Sequence, residues 1–496
     1  MSTKKINQKE IYTKQLEKYI HQEQAAVSLI NYSGKLLYEK GVELVLFRRH
    51  LIDTTITKIL RLHHYAKNFV KKPINVVETN KIVKNLYEMD LCPSKIDIGK
   101  LTFEWIEEKS KHKNRSAFLS KKLNFLIKPT KYEMKPKDVI LFGFGRIGRL
   151  CTRELIKQAG KGQQLRLRAV VVRSIDEKSL KKRASLLLQD SVHGRFSGSL
   201  EIDKKRNSII VNGQNIVFLS SEKKIDYKKI GIKNALLIDS TGIYKDKKQL
   251  KKHLNQYIKK VILTAPGNSM PNIVYGVNHK QFNFEKENIF SAASCTTNAI
   301  APILYVINKS KKIVKGHIET IHAYTNDQNL LDNMHSKNRR GRSAAINMVI
   351  TSTGAGKAIS KIMPKLDGKL TANAIRVPTP NGSLAVMSLD IKNKTSVEEI
   401  NEILRKSSLS GELVNQIKYS INEELVSNDI IGTTGCSIFD SKATIVSKNG
   451  KNIILYVWYD NEFGYTKQVI RLAKYVSGVR RLHYYWIKRY FNFSTT

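Results

Sequence analysis

The run Asp138-Val-Ile-Leu-Phe142, followed at once by Gly143-x-Gly145-x-x-Gly148, leaves the chain few folds to choose from. The apolar run reads as a buried strand, and Leu150, Leu155 and Ile156 beyond it recur at helical spacing. In such a strand–turn–helix unit the glycines permit a tight turn and let the backbone approach a pyrophosphate, which rests on the helix N-terminus. Arg146 and Ile147 lie inside that turn and belong to the same candidate cofactor surface. A glycine triplet alone occurs in many loops by chance, whereas a strand before it and a helix after it point to a dinucleotide.

The next buried run, Leu167-Arg-Ala-Val-Val-Val172, should end at the residue that reads the adenosine ribose. An acidic side chain there would bond the ribose hydroxyls of NAD and repel a 2′-phosphate. This chain has Arg173 and Ser174 instead, which remove the repulsion and add donors, so NADP is expected to be accepted and preferred over NAD. Further runs, Ala235-Leu-Leu-Ile238 and Lys260-Val-Ile-Leu-Thr-Ala-Pro266, alternate with helical segments. That alternation predicts a mostly parallel, doubly wound sheet.

Three more blocks carry chemistry. Ser291-Ala-Ala-Ser-Cys-Thr-Thr-Asn298 opens a helical pattern, so Cys295 would see the positive end of a helix dipole that favours its thiolate. Thr320-Ile-His-Ala-Tyr-Thr325 ends a strand-like run, and His322 is the candidate base for that thiol. Trp458-Tyr-Asp-Asn-Glu-Phe-Gly-Tyr465 follows near the end. Together with the glycine turn, these blocks resemble the phosphorylating glyceraldehyde-3-phosphate dehydrogenase family from about Asp138 to about Ser477.

The resemblance implies Cys295 as nucleophile and His322 as base. It places Ser240, Thr241 and Gly242 beside the nicotinamide half of the cofactor, with Asn461 on its carboxamide and Tyr465 flanking it. Thr325 and Arg376 would hold the substrate's phosphate, and Ser294, Thr296, Thr353 and the backbone of Gly354 the attacking inorganic phosphate; Arg340 joins this phosphate-binding set. Asp190-Ser-Val-His-Gly-Arg-Phe196 resembles a family block of architectural role. Two departures bear on the cofactor: Arg173-Ser174 stands where relatives usually have Asn-Asp, and Asn333-Met334 where NAD-preferring relatives usually have Leu-Pro. Substrates implied are glyceraldehyde 3-phosphate and phosphate, the assembly a homotetramer, and no metal is expected. Erythrose-4-phosphate dehydrogenase is the near alternative.

The fold class expected is α/β: a Rossmann doubly wound domain over residues 135–294 and an α+β catalytic domain with a mixed sheet over 295–460. A helix over 461–478, with Val469, Leu472 and Val476, should pack back on the nucleotide domain. An all-α extension over 1–134 precedes them, and a basic aromatic tail over 479–496 ends the chain. In the extension, Leu44, Phe47, Leu51, Ile56, Ile59 and Leu60 recur near helical spacing, Thr79 could cap a second helix and Asp97 a third. His63 and His64 would face different sides of a helix, so a packed histidine is favoured over a metal pair. Lys128 to Lys137 reads as a linker.

Composition narrows the setting. With 41% hydrophobic and 26% charged residues the chain is of globular type, and no apolar run approaches membrane-spanning length. Four cysteines without Cys-x-x-Cys spacing build neither a disulfide framework nor a metal knuckle, which suits a reducing, cytoplasmic compartment. The net charge of +44 leaves nucleic acid open as a partner on a dehydrogenase scaffold, but the lysines are spread along the chain, as drift toward Lys, Ile and Asn codons would leave them.

Overall fold

A computed structural model describes residues 8–127, 135–157 and 163–484. The chain forms two compact units. One takes its described residues from Met1–Pro136, Ala159–Gln164 and Arg480–Thr496, the other from Lys137–Gln158 and Leu165–Val479. Most of the expected linker, 128–134, and the tail beyond 484 lie outside the described residues.

The first unit is largely helical, with helices at Gln8–Lys40, Ile56–Tyr65, Val76–Glu88, Ile98–Glu108 and Arg115–Leu123. Asp97 caps the fourth by accepting from Lys100 N. The second cap is Asn75, not Thr79; Thr79 sits one turn inside, and its hydroxyl donates to the Asn75 carbonyl. His63 is buried, bonded to the Ile59 carbonyl (2.9 Å) and to Thr79 Oγ1 (3.0 Å), while His64 is exposed. The unit also holds a four-stranded sheet that helical spacing did not announce, ordered Arg49–His50, Glu43–Leu46, Ser94–Asp97, Leu482–Tyr484. Leu44 through Leu51, read as helix from its spacing, is instead strand–turn–strand: Phe47 and Arg48 take positive φ (42° and 71°), and Asp97 accepts from both their backbone N–H groups. The strand Leu482–Tyr484 comes from the far end of the sequence and pairs in parallel with Ser94–Asp97.

In the second unit, Lys137–Phe142 is the central strand of an eight-stranded sheet. The order is Ile289–Ser291, Ile258–Leu263, Ala235–Asp239, Lys137–Phe142, Leu165–Val172, Gln214–Ser220, Ser208–Val211, Leu200–Asp203. The first six run parallel and the last two form antiparallel ribbons at the edge. Continuous apolar strands such as Ala235–Asp239, buried at every position, are what a sheet covered on both faces requires. The helix Phe463–Val476 contributes Val469, Leu472 and Val476 to the core of this sheet.

A mixed sheet follows, ordered Val349–Ser352, Leu370–Val377, Ile313–Ala323, Ser383–Ile391, Asn452–Tyr459, Ser437–Asp440, Ile417–Ser420. Alternating burial along Ser383–Ile391 and Asn452–Tyr459 gives it one apolar face, and the helix Cys295–Lys311 packs there through Ile300, Ile303, Leu304 and Ile307. Among the described residues no helix is long and apolar enough to cross a membrane.

The glycine turn tests how tightly the nucleotide sheet is built. A Cβ on Gly148 would stand 2.6 Å from the Gly143 carbonyl oxygen, a backbone atom that cannot swing aside. Gly148→Ala should therefore cost about 1–3 kcal/mol, the usual range for overpacking, and weaken dinucleotide binding, read by thermal melting and by cofactor titration.

Candidate active site

Cys295 opens its helix. Ser294 is the N-cap, accepting from Thr297 N at 3.0 Å and sharing a 2.7 Å bond with the Thr297 hydroxyl, so the first turn is held and Cys295 sits at the positive end of the helix. The approach is strained, because Ala293 takes φ +56°, which costs a non-glycine residue free energy. Hydrogen bonds hold it on both sides: its N–H donates to Ser291 Oγ (3.0 Å) and its carbonyl accepts from Tyr465 OH (2.9 Å).

His322 reaches the thiol from the mixed sheet, with Nε2 3.5 Å from Cys295 Sγ. Register explains its other neighbour: Ile313–Ala323 and Leu370–Val377 run parallel with His322 opposite Arg376. His322 Nδ1 is 2.6 Å from the Ala323 carbonyl, and Arg376 Nη1 is 2.9 Å from that carbonyl and 2.5 Å from Nδ1. Two tautomers follow. With its hydrogen on Nδ1, bonded to Ala323, Nε2 is the acceptor for the thiol proton; with Arg376 donating to Nδ1, the ring hydrogen faces sulfur.

Burial and then the Arg376 cation pull the His322 imidazolium down to about 3. Burial raises the Cys295 thiol, and Arg376 opposes that rise by favouring the thiolate. Both shifts lean toward the neutral thiol and the neutral imidazole. The unfolded imidazole titrates near about 6.5, so below that pH the unfolded chain binds a proton the folded chain refuses. The contribution of His322 to stability is present above about pH 6.5 and is lost as pH falls toward about 3. His63, brought to about 4 by burial, acts in the same direction. Denaturant midpoints should drop across that window, and His322→Asn should flatten the part of the slope due to this ring.

The remaining predicted residues divide. Thr353 accepts from Ala355 N at 3.3 Å, and Gly354 caps the helix Ala355–Ile362. Thr325 follows the strand that carries His322. Arg340 is buried and bonds Thr351 Oγ1 (3.1 Å) and Asp327, and its charge is felt by both His322 and Arg376. The Thr296 hydroxyl bonds Tyr459 OH at 3.1 Å and is buried with it, so it meets protein rather than open space. Asn461 Oδ1 accepts from Ser383 Oγ at 2.9 Å, which fixes which end of the amide is the donor.

Three of the cofactor residues are engaged differently from the expectation. Arg146 pairs with Glu462, which also bonds His193 at 2.9 Å, so its guanidinium ties the glycine turn to the last block. Tyr465 is buried and bonds the Ala293 carbonyl, which makes it a support for the bend before Cys295. The Ser174 hydroxyl donates to Asp176 and is not on the cleft wall.

That cleft, about 1100 Å³, opens at the ends of the parallel strands, the place where such sheets take nucleotides; Gly143, Arg173 and Thr241 line it. Asp239 accepts from Thr241 N (2.9 Å) and Oγ1 (2.7 Å), and Ser240 Oγ donates to the Gly143 carbonyl (3.2 Å). A Cβ on Gly143, whose φ is +97°, would lie 2.9 Å from Thr241 Cγ2, and Gly242 has φ +72°. This is a cradle that a side chain would fill, and a dinucleotide fits it. Ile147 and Gly145 complete the turn, with Gly145 as the helix cap.

Sequence reasoning missed Tyr459, whose ring packs edge-on against His322 with centroids 5.8 Å apart, although it lies in the block that singled out Asn461. It also missed Arg183, Lys223 and Lys224 on the cleft wall, which no short motif marks.

Residues 137–247 match the family described as glyceraldehyde 3-phosphate dehydrogenase, NAD binding domain, and residues 294–461 its C-terminal domain. The chain belongs to the glyceraldehyde-3-phosphate dehydrogenase family. A glyceraldehyde-3-phosphate dehydrogenase-like protein of Pseudomonas aeruginosa is 44% identical over 452 residues, 90% of this chain and 97% of its own length. Glyceraldehyde-3-phosphate dehydrogenase 1 of Bacillus cereus is 39% identical over 338 residues, 68% of this chain and 97% of its own. The glyceraldehyde-3-phosphate dehydrogenase of Clostridium pasteurianum is 38% identical over 350 residues, 69% and 99%. The alignment of 452 residues is longer than the stretch 137–479, so the resemblance to the Pseudomonas protein runs beyond the dehydrogenase unit.

Proposed function

We propose that the chain oxidises glyceraldehyde 3-phosphate with inorganic phosphate and NAD(P) to 1,3-bisphosphoglycerate through a thioester on Cys295. The observation that carries this is the thiol at a helix N-terminus with a ring nitrogen 3.5 Å away and an arginine beside that ring. His322 takes the thiol proton as sulfur adds to the aldehyde carbon, and the helix-terminal N–H groups face the oxyanion that forms. A dinucleotide bound in the cleft supplies the acceptor for hydride, and its loss from the adduct leaves the thioester. Arg376 binds the substrate's phosphate; on doing so it shares its charge with an anion, which relieves the depression of the His322 imidazolium. Thr353, Gly354 and the capped turn at Ser294 receive the phosphate that attacks the thioester, with Thr325 and Arg340 alongside.

Arg173 at the end of Leu165–Val172, where NAD-binding folds carry a carboxylate, supports NADP as the preferred cofactor and a reductive, gluconeogenic direction. The family resemblance and the exposed Leu330, Leu331 and Met334 of the 326–345 loop support a homotetramer in which this loop meets a neighbouring subunit. Initial rates on glyceraldehyde 3-phosphate and on erythrose 4-phosphate, each with NAD and NADP and with Cys295→Ser as control, test the reading. Phosphate-dependent turnover of the triose phosphate is expected; faster turnover of erythrose 4-phosphate would reassign the substrate, and no turnover of either would refute the enzyme.

A further inference from the structure

We propose that Arg183, together with Arg173, Lys223 and Lys224, forms the seat for the 2′-phosphate of an NADP-type dinucleotide. The proposal deepens the reading of this chain as a dinucleotide-dependent dehydrogenase and rests on it.

Three elements converge at one end of the strand Leu165–Val172. Arg173 is the first residue beyond it, and Arg183 lies on the helix Glu177–Leu188 that follows. Lys223 and Lys224 lie beyond the neighbouring parallel strand Gln214–Ser220, whose end is tied to the first: Ser220 Oγ donates to the Arg173 carbonyl (2.8 Å) and Ser221 N to the Val172 carbonyl (2.8 Å). All four residues line the cleft, and among the described residues on its wall there is no Asp or Glu.

Arg183 is the informative member. Its Nη1 is buried and has no hydrogen-bond partner, and burial lowers the guanidinium's pKa while Asp176 pulls it back. A buried donor without an acceptor is costly, and a phosphomonoester dianion is the acceptor that a guanidinium fork matches best. The competing carboxylate is occupied. Asp176 caps the helix, accepting from Ser179 N (2.9 Å), Ser179 Oγ (2.7 Å) and Ser174 Oγ, and these bonds hold it well below the usual carboxylate range. Turning it to a ribose diol would uncap the helix. Ser174 thus acts by restraining a nearby carboxylate, and the phosphate contacts fall to the four cations.

Calorimetric titration of the full chain with adenosine 2′,5′-bisphosphate and with adenosine 5′-phosphate tests this without turnover. The bisphosphate should bind at least about tenfold tighter, with an affinity that falls steeply with salt. Arg183→Leu should remove most of that advantage and leave adenosine 5′-phosphate binding unchanged, and Arg183→Lys should restore part of it. Should Arg183→Leu fold poorly, the exposed pair Lys223→Gln and Lys224→Gln should cut the same ratio. Equal binding of the two nucleotides, or a ratio untouched in the folded variants, overturns the seat. If aldehyde is oxidised with NAD while the bisphosphate has no advantage, only the seat falls; if neither nucleotide binds and no aldehyde turns over, the dehydrogenase reading falls with it.

Discussion

Cys295→Ala should lower aldehyde oxidation by about a thousandfold or more while leaving the melting temperature nearly unchanged. The residue is only partly buried, so truncation opens little cavity, and the helix keeps its cap because Ser294, not Cys295, makes it. His322→Asn should cost about 10²–10⁴-fold. The two losses should not add, since the thiol that burial raises needs the imidazole to take its proton, and the imidazole has no role without the thiol. The pH profile separates the roles. With His322 gone, the rate should climb with pH until the thiol ionises unaided, above its ordinary value. Iodoacetamide alkylation followed against pH reads the same shift without substrate. An unchanged alkylation profile in His322→Asn would sink the assignment of the base.

Deleting residues 480–496 should unfold part of the N-terminal unit. The strand Leu482–Tyr484 extends its sheet and is anchored at both ends: Arg481, just before it, reaches Glu43 at 3.0 Å, and the OH of Tyr484, its last residue, donates to Glu104 at 2.5 Å. Glu43 is the point of leverage. Burial alone would raise its carboxyl, yet Lys95 (2.7 Å), His50 (2.8 Å) and Arg481 together hold it well below the usual range. Removing one partner from a buried ion cluster costs about 3–5 kcal/mol, so Arg481→Ala should already destabilise the unit by that order, and the deletion by more. Hydrogen exchange at Ser94–Asp97 is the direct readout, because those amides lie beside the lost strand. Undiminished protection there after the deletion would show that the sheet does not need its fourth strand.

What was legible in the sequence was local. A run of apolar β-formers before a glycine turn and a helical period after it are consequences of backbone sterics within about twenty residues, and they give the strand Lys137–Phe142 and the helix Arg146–Ile156 without reference to the rest of the chain. The cap at Asp97 is of the same kind, since its bond from Lys100 N reaches only three residues on, whereas the bonds the same carboxylate accepts from Phe47 and Arg48 are tertiary. Even locally, spacing misled where apolar residues run consecutively. Leu44, Val45 and Leu46 are all buried because their strand is covered on both faces, and such a run fits a helix stripe as readily as a strand.

The amino-acid sequence by itself determined which residues could do chemistry: a thiol in a helix-opening turn, a histidine at a strand end, an arginine in an adjacent block and a ribose reader without a carboxylate. Only the tertiary structure decided what each one touches. Parallel pairing sets His322 beside Arg376 across 54 residues of sequence, and burial first and that cation second lower the basicity of the imidazole. Pairing of Leu482–Tyr484 with Ser94–Asp97 makes this short stretch part of the first unit's sheet. Glu462 ties up the Arg146 guanidinium, Asp176 ties up the Ser174 hydroxyl, and Arg183 lines the cleft wall that Ser174 does not. The physical reason is common to all of them. A donor's partner is chosen by distance in space, and parallel strands bring together residues whose separation along the chain carries no pattern that a periodicity or motif could register.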